Sequence, residues 1–393
     1  MSDLEQTISK VPADVAPLPH LAGTWGADLA PLVCERCDWT FLAPASSTAT
    51  RCPHCHQAEL TPLNTTETVQ NTPTPNLAPP DLTPPEQVIP FSLSPTSLES
   101  SIQSFAREIP YAPDDLNPRQ LRSRLQAVFL PMWLVDAEVQ ATWQAEAGFN
   151  YEVVSHQDKF EENRGGWSTR QVNETKTRWE PRLGRLQRIY QNIRAPALED
   201  HNQLQAQLGL FDLIPVQPYQ KQTIQSAILR LPDRTTQDAW PDAKPAFQQA
   251  AVEECRQAIG ADYVRHFSWQ AEFHKQNWTL LLLPVYTTYY LDDEHTPQLV
   301  LLHGQSGKIS ALRHASLKRA QRTTITLLVI AAVLFLLSLA VSTASIFLPP
   351  ALAIGVLGIV AALLVGLGAL IPVVIAWWFN RSQATSSPMQ TGQ

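Results

Sequence analysis

Residues 34–55 read CERCDWTFLAPASSTATRCPHC, two Cys-x-x-Cys pairs separated by fourteen residues. Each pair can close a tight knuckle that presents two thiolates, and two knuckles complete a tetrahedron around one ion. One Zn²⁺ held by Cys34, Cys37, Cys52 and Cys55 is the expected site, closed and structural, with no position left for a catalytic water. A redox dithiol is the competing reading of the same spacing. Residues 38–51 alternate apolar and polar around Trp39 and Phe41 and then run into a Ser/Thr-rich turn, as a short β-hairpin would. So small a module cannot fold on its own core, and metal binding supplies the missing free energy. With four thiolates in place, His54 and His56 are expected to be exposed knuckle residues, not ligands.

The other end of the chain is built for a different solvent. From Thr323 to Asn380 there is no Asp, Glu, Lys, Arg or His. A single helix of that length would run about 87 Å, against about 30 Å of bilayer core. The chain must turn round, and the prolines of FLPP, residues 347–350, mark the place. The expectation is a transmembrane hairpin over 323–379, with spans at Ile325–Phe347 and Ala351–Trp377. Arg313, Lys318, Arg319 and Arg322 precede it, Arg381 follows it, and the connecting loop is uncharged. The positive-inside rule then puts both termini in the cytoplasm, on the inner membrane, with Trp377 and Trp378 at the interface. In that reducing compartment the cysteines stay available as thiolates. Gly358, Ala362 and Gly366 form a small-residue ridge that could meet the first span or, in a homo-oligomer, a second copy. With no ionisable group in either span, a transporter is not expected.

Between these ends the composition divides the chain into an arm (1–29), the cysteine module (30–60), a Pro/Thr-rich linker (61–88), a folded region (89–316), the hairpin (323–379) and a tail (380–393). The N-terminus is acidic and lacks the apolar stretch of a secretory signal. Amphipathic helices are expected at 94–108, 117–126 and 245–260, the last with Cys255 on its buried stripe. Strands are expected at LQAVFL, VQATWQAEA, RLQRIYQNI, YVRHFSWQAEF, WTLLLLPVYTTYY and QLVLLH. Long neighbouring strands without crossovers argue for an antiparallel sheet with helices on one side, hence an α+β domain. HGQSGK, residues 303–308, has only two residues between its glycines and Ile309 after the lysine, so it reads as a hairpin turn and not a phosphate loop. The pairs Asp114–Asp115, Glu161–Glu162, Glu253–Glu254 and Asp292–Asp293 are sequence neighbours whose side chains diverge, which makes no acid/base dyad. No catalytic residue and no organic cofactor is expected.

VIPFSL, FLPMWLVDAEV and LLLPVYTTYYLDDEHTPQLVLLHGQSGKISALRHAS, ahead of an apolar hairpin, resemble the bacterial zinc-ribbon membrane proteins of the transcription-factor-B-like type. The resemblance covers nearly the whole chain. Asp38 and His56 stand where that family has glycine after each knuckle, and His303 stands where it has Asn. The resemblance implies zinc and membrane and no established reaction. The function expected is a membrane-anchored adaptor or scaffold that contacts the bilayer and recruits a soluble cytoplasmic protein through the ribbon or the middle domain, in envelope or membrane-stress maintenance. A net charge of −7, with Arg36 and Arg51 set against Glu35, Asp38 and Glu59, argues against nucleic acid as the partner. The alternatives are a membrane-tethered nucleic-acid-binding ribbon and an enzyme with its site in 89–316.

Overall fold

The computed structural model describes residues 29–44, 50–62, 84–161, 166–224, 227–344 and 351–386. The arm up to residue 28, the centre of the linker, the Pro349–Pro350 turn and the tail after residue 386 lie outside the described residues, as does the Ser/Thr turn at 45–49. The fold is mixed α+β around one large sheet, with the four cysteines near the N-terminus and apolar helices at the C-terminus.

Three strands set the frame: β5 (Gln126–Glu161), β6 (Gly166–Ala195) and β9 (Tyr263–Leu291). Each strand signal read from the sequence falls in one of these or in β10 (Pro297–His303), but neighbouring signals merge into single long strands. β5 pairs antiparallel with β6 from Trp133 to Glu161 and with β9 from Gln126 to Gly148. Bulges keep strands of this length in step. Asn192, Lys275 and His266 take positive φ of 57°, 51° and 51° where β6 and β9 each carry extra residues against β5. The Asp136 side chain accepts a hydrogen bond from the Asn192 N–H at 2.7 Å, fixing the first bulge.

The sheet runs β11 (Ile309–Ala311), β10, β9, β5, β8 (Ile228–Arg230), β2 (Thr40–Pro44), β1 (Leu29–Val33), β3 (Thr61–Pro62). It is not wholly antiparallel: β8 lies parallel to β5, and the two-residue β4 (Gln87–Val88) lies parallel to β9 and antiparallel to β7 (Gln217–Pro218). Two expectations change here. The 30–60 module is not set apart by the linker, because β2 pairs with β8 through Phe41–Arg230 and Leu42–Leu229. The linker is also shorter than its composition suggests. Thr61 and Pro62 pair with β1, and Val88 is buried in the sheet's core. Pro-rich composition reports the lack of a local core and not whether the flanking residues find a strand to join.

Period-two alternation decides what covers each face. Odd residues of β5, including Trp133, Val135 and Val139, point to one side and are covered by α4 (Thr236–Ile259) through Ala239, Ala243 and Phe247. The same face of β9 and β10 carries Tyr290 and Leu302 and is covered by α1 (Pro95–Glu108) and α2 (Pro118–Ser123). Even residues Val128, Leu130, Met132 and Leu134 point the other way. They meet the cysteine module, with α3 (His201–Leu208) beside it. Helices on one face were expected; the second face is closed by α3 and the cysteines.

α4 starts nine residues before the expected Pro245. A capping box between Thr235 and Asp238 nucleates it, and both Pro241 and Pro245 lie inside. Cys255 is on the buried stripe, and burial pushes its thiol up to about 11. Ala258, three residues on, is exposed. The HGQSGK segment is a hairpin turn between β10 and β11. His303 Nδ1 accepts from the N–H groups of Gln305 and Ser306 at 3.2 and 3.3 Å, the office of a turn asparagine. Gly304 lies against Pro284, where a Cβ would fall 2.5 Å from its carbonyl oxygen, and Gly307 takes φ 70°.

The C-terminal helices are α5 (Leu317–Ala344), α6 (Ala351–Gly368) and α7 (Ile371–Ser386). α5 and the α6–α7 run are each long and apolar enough to cross a membrane. The second run is interrupted at Ala369–Leu370, just before Pro372, so the expected single span is two helices in series. α5 and α6 are antiparallel. A Cβ at Gly355 would meet Ser342 Cα at 2.9 Å, one at Gly358 would meet Ser338 Cβ at 2.9 Å, and one at Gly366 would lie 3.8 Å from Ala331. The small-residue ridge therefore faces α5 within the chain. Both ends of this pair return to the sheet domain: the Asn380 side chain donates to Ala315 C=O at 2.9 Å and accepts from Ala315 N–H at 2.7 Å. Asn380→Ala should leave both backbone groups unpaired and destabilise the helix–domain junction by about 2 kcal/mol. Limited proteolysis near residue 315 reads this directly, and an unchanged cleavage rate would count against it.

Candidate metal centre

The two knuckles are built alike. Asp38 N–H donates to Cys34 C=O at 2.9 Å and His56 N–H to Cys52 C=O at 3.1 Å. Cys34 N–H reaches Trp39 C=O at 3.0 Å and Cys52 N–H reaches Ala58 C=O at 2.9 Å. Both turns need a left-handed residue, and Asp38 (φ 56°) and His56 (φ 51°) supply it where glycine is usual. The four Sγ atoms lie within 4.8 Å of one another, with Cys34–Cys55 at 3.6 Å and Cys37–Cys52 at 3.7 Å. A tetrahedron with Zn–S bonds of about 2.3 Å has edges of about 3.8 Å, so a metal ion of this size fits. All four predicted ligands are brought together.

Sulfurs this close cannot all ionise unaided. The hydrogen bond that Cys37 accepts from Cys52 draws its thiol down to about 3 and drives Cys52 upward, while burial raises Cys34. A cation bound here would take the place of those shared protons and cross-link the two knuckles.

The histidines depart from expectation. His56 is 2% exposed, its ring stacked on Tyr289 at 4.7 Å, and burial pulls it down to about 3. His54 is half-buried and stacked on Trp39 at 3.4 Å. Both serve the junction between knuckles and sheet, which position in sequence could not reveal. Phe41 is fully buried in the shared core.

Two residues that sequence reasoning missed hold the module down. Arg230, 2% exposed, sets its guanidinium 3.1 Å from the centre of the Trp39 ring. It also binds Asp200 at 3.0 Å and Asp233 at 2.6 Å. Burial lowers Arg230 and raises Asp233, so desolvation outweighs attraction in each. Tyr289 is the second. Its hydroxyl accepts from Arg51 at 2.5 Å, and Arg124 lies 4.6 Å from its ring centre. Nothing local in LRLPDR or VYTTYY marks either residue; only the sheet brings them under the knuckles.

The acidic pairs have structural work. Asp115 holds Arg124 at 2.5 and 2.9 Å, Glu253 holds Arg256, and Glu254 bonds Arg188 and Tyr190. Asp292 closes its own turn, and Asp293 caps the start of α5 through Ser316 and the Lys318 N–H. Glu162 lies outside the described residues. Compared with known families, curated proteins and solved structures, the chain matches none.

Arg230→Met should strand Asp200 and Asp233 and release Trp39. The expected cost is on the order of 3 kcal/mol in the stability of the whole sheet domain, read as a lowered melting temperature, whereas Asp233→Asn should cost less. A melting temperature unchanged by Arg230→Met would separate the module from the sheet energetically.

Proposed function

We propose that the chain is a membrane-anchored zinc-ribbon scaffold that recruits a soluble protein to the cytoplasmic face of the inner membrane. The observation that carries this reading is the return of both apolar helix runs to one domain, at Ala315 and Asn380. A hairpin with both feet on one domain leaves that domain on one side of a bilayer. The outward faces of these helices include Leu336, Leu357, Leu364 and Leu367, each more than 60% exposed, a surface suited to hydrocarbon and costly in water. Lys318, Arg319, Arg322 and Arg381 gather at the feet, which under the positive-inside rule favours a cytoplasmic domain. Trp377 and Trp378, at 51% and 67% exposed, suit the interface.

Zinc is the ion that the four-thiolate set and its spacing suit best, and the resemblance to zinc-ribbon membrane proteins points the same way. In this reading the ribbon does not sample the cytoplasm on a tether. It completes a rigid platform, and the part that reaches outward is the β5–β6 hairpin. β9 stops pairing with β5 at Gly148, while β5 continues with β6 to Glu161. At about 3.3 Å per residue, that two-stranded arm extends about 40 Å. Along it Phe149, Tyr151 and Val153 pair with Arg178, Lys176 and Glu174, and Tyr151 and Val154 are about half exposed, a mixture suited to a protein partner.

Elemental analysis should find one zinc per chain, lost in Cys34→Ser and Cys52→Ser. Because β2 is paired to β8, zinc removal by chelator should lower the melting temperature of the whole sheet domain. Melting of the sheet unaffected by chelation would contradict this. For the scaffold itself, replacing residues 150–178 by a tight turn should leave zinc content and membrane localisation intact. Soluble proteins crosslinked to the full chain should be lost from the shortened one; identical partner sets would overturn the scaffold role of the arm.

A further inference from the structure

The cysteine module does not lie flat on the sheet. Between them is a cleft of about 350 Å³, at the lower end of the roughly 300–1,000 Å³ of small-molecule sites. Its floor is the even face of the sheet, Val128 and Leu130 from β5, Val285 from β9 and Leu301 from β10. Trp39 and His54 form one wall and α3 the other, through Leu204.

The lining chemistry narrows the occupant. Among the described residues no Lys or Arg lines the cleft, and its carboxylate, Asp200, is already bound to Arg230 at 3.0 and 3.3 Å. An anionic head group would find no counter-charge there, and a cationic one would compete with Arg230. The remaining polar lining is neutral, chiefly the amides of Gln203, Gln207 and Gln298. Two lining residues also carry buried polar atoms with no hydrogen-bond partner among the described residues, Thr287 Oγ1 and His54 Nδ1. Thr287 is 4% exposed and sits on β9 between Gln126 and Leu301, where a hydroxyl in an otherwise apolar floor is costly unless a ligand satisfies it.

We propose that this cleft binds an uncharged amphiphile, an aliphatic chain laid on the Val128–Leu301 floor with a neutral hydroxyl or ester head that bonds Thr287 and the glutamine rim. The inference is independent of which metal the cysteines hold, because none of the variants below alters a cysteine.

The test uses the full chain in lipid nanodiscs and a diazirine-bearing dodecanol as photo-reactive probe, with labelled sites mapped by peptide mass spectrometry. Labelling is expected on peptides containing Trp39, Leu204 or Leu299, and excess dodecanol should compete it at least tenfold more effectively than dodecanoate. Leu299→Trp, which fills space in the cleft, should reduce cleft labelling at least fivefold. Thr287→Val, which keeps the side chain's shape and removes the hydroxyl, should reduce it about threefold. Metal content, measured in parallel, should stay at the wild-type value in both variants, and neither melting temperature should fall. Labelling confined to α5–α7 would show partition into the bilayer and overturn the site. Equal competition by dodecanoate would overturn the neutral-head assignment.

Discussion

A strand that is apolar on both faces must be covered twice. Residues 128–135 of β5 and 280–285 of β9 are buried on both sides of the sheet, so no arrangement with a single helical layer can satisfy them. α4, α1 and α2 cover one side. On the other, Phe41, Cys34, Cys52 and Leu60 from the cysteine module join α3 over Val128, Leu130 and Leu281. The module thus serves as a layer of the domain, and an ion held by its four cysteines would stabilise a surface far larger than two knuckles.

That layer is fastened by side chains whose partners come from distant segments. Arg230 sits in the strand that pairs with β2 and also turns its guanidinium onto Trp39, so backbone pairing and ring stacking act at the same place. Tyr289 holds the second knuckle through its side chain, receiving His56 on its ring and Arg51 on its hydroxyl. A buried arginine with two carboxylates adds little net stability. What it fixes is geometry, since any displacement of the module strands a charge. The same rigidity keeps the cleft open, because Trp39 is clamped between Arg230 and His54 and cannot collapse onto the floor.

The apolar helices are fastened by comparable economy. Glycines at 355 and 358 let α6 approach the serines of α5, and one asparagine ties the return end to Ala315. Asp293 caps α5 where it leaves the sheet domain, and Arg319 donates to Ala112 C=O at 2.9 Å while lying beside Asp114. The feet of the pair are therefore part of the domain, which fixes the helices' direction relative to the sheet.

Sequence alone determined whatever depends on local pattern. The four-cysteine cluster followed from Cys-x-x-Cys spacing, the helix pair from an uncharged stretch too long for one span, the long strands from apolar and β-branched runs, and the 303–308 turn from its glycines. The uninterrupted run AVFLPMWLV, residues 127–135, already carried the mark of a strand buried on both faces, although it does not say what does the burying. Tertiary structure decided everything that rests on contact between distant residues. Arg230 reaches Trp39, His56 reaches Tyr289, Val88 reaches β9, and the ridge at Gly358 meets α5. The reason is physical: knuckle geometry and helix length are set by bonds a few residues apart, whereas the surface that covers a sheet face is set by which segments the long strands bring within van der Waals reach.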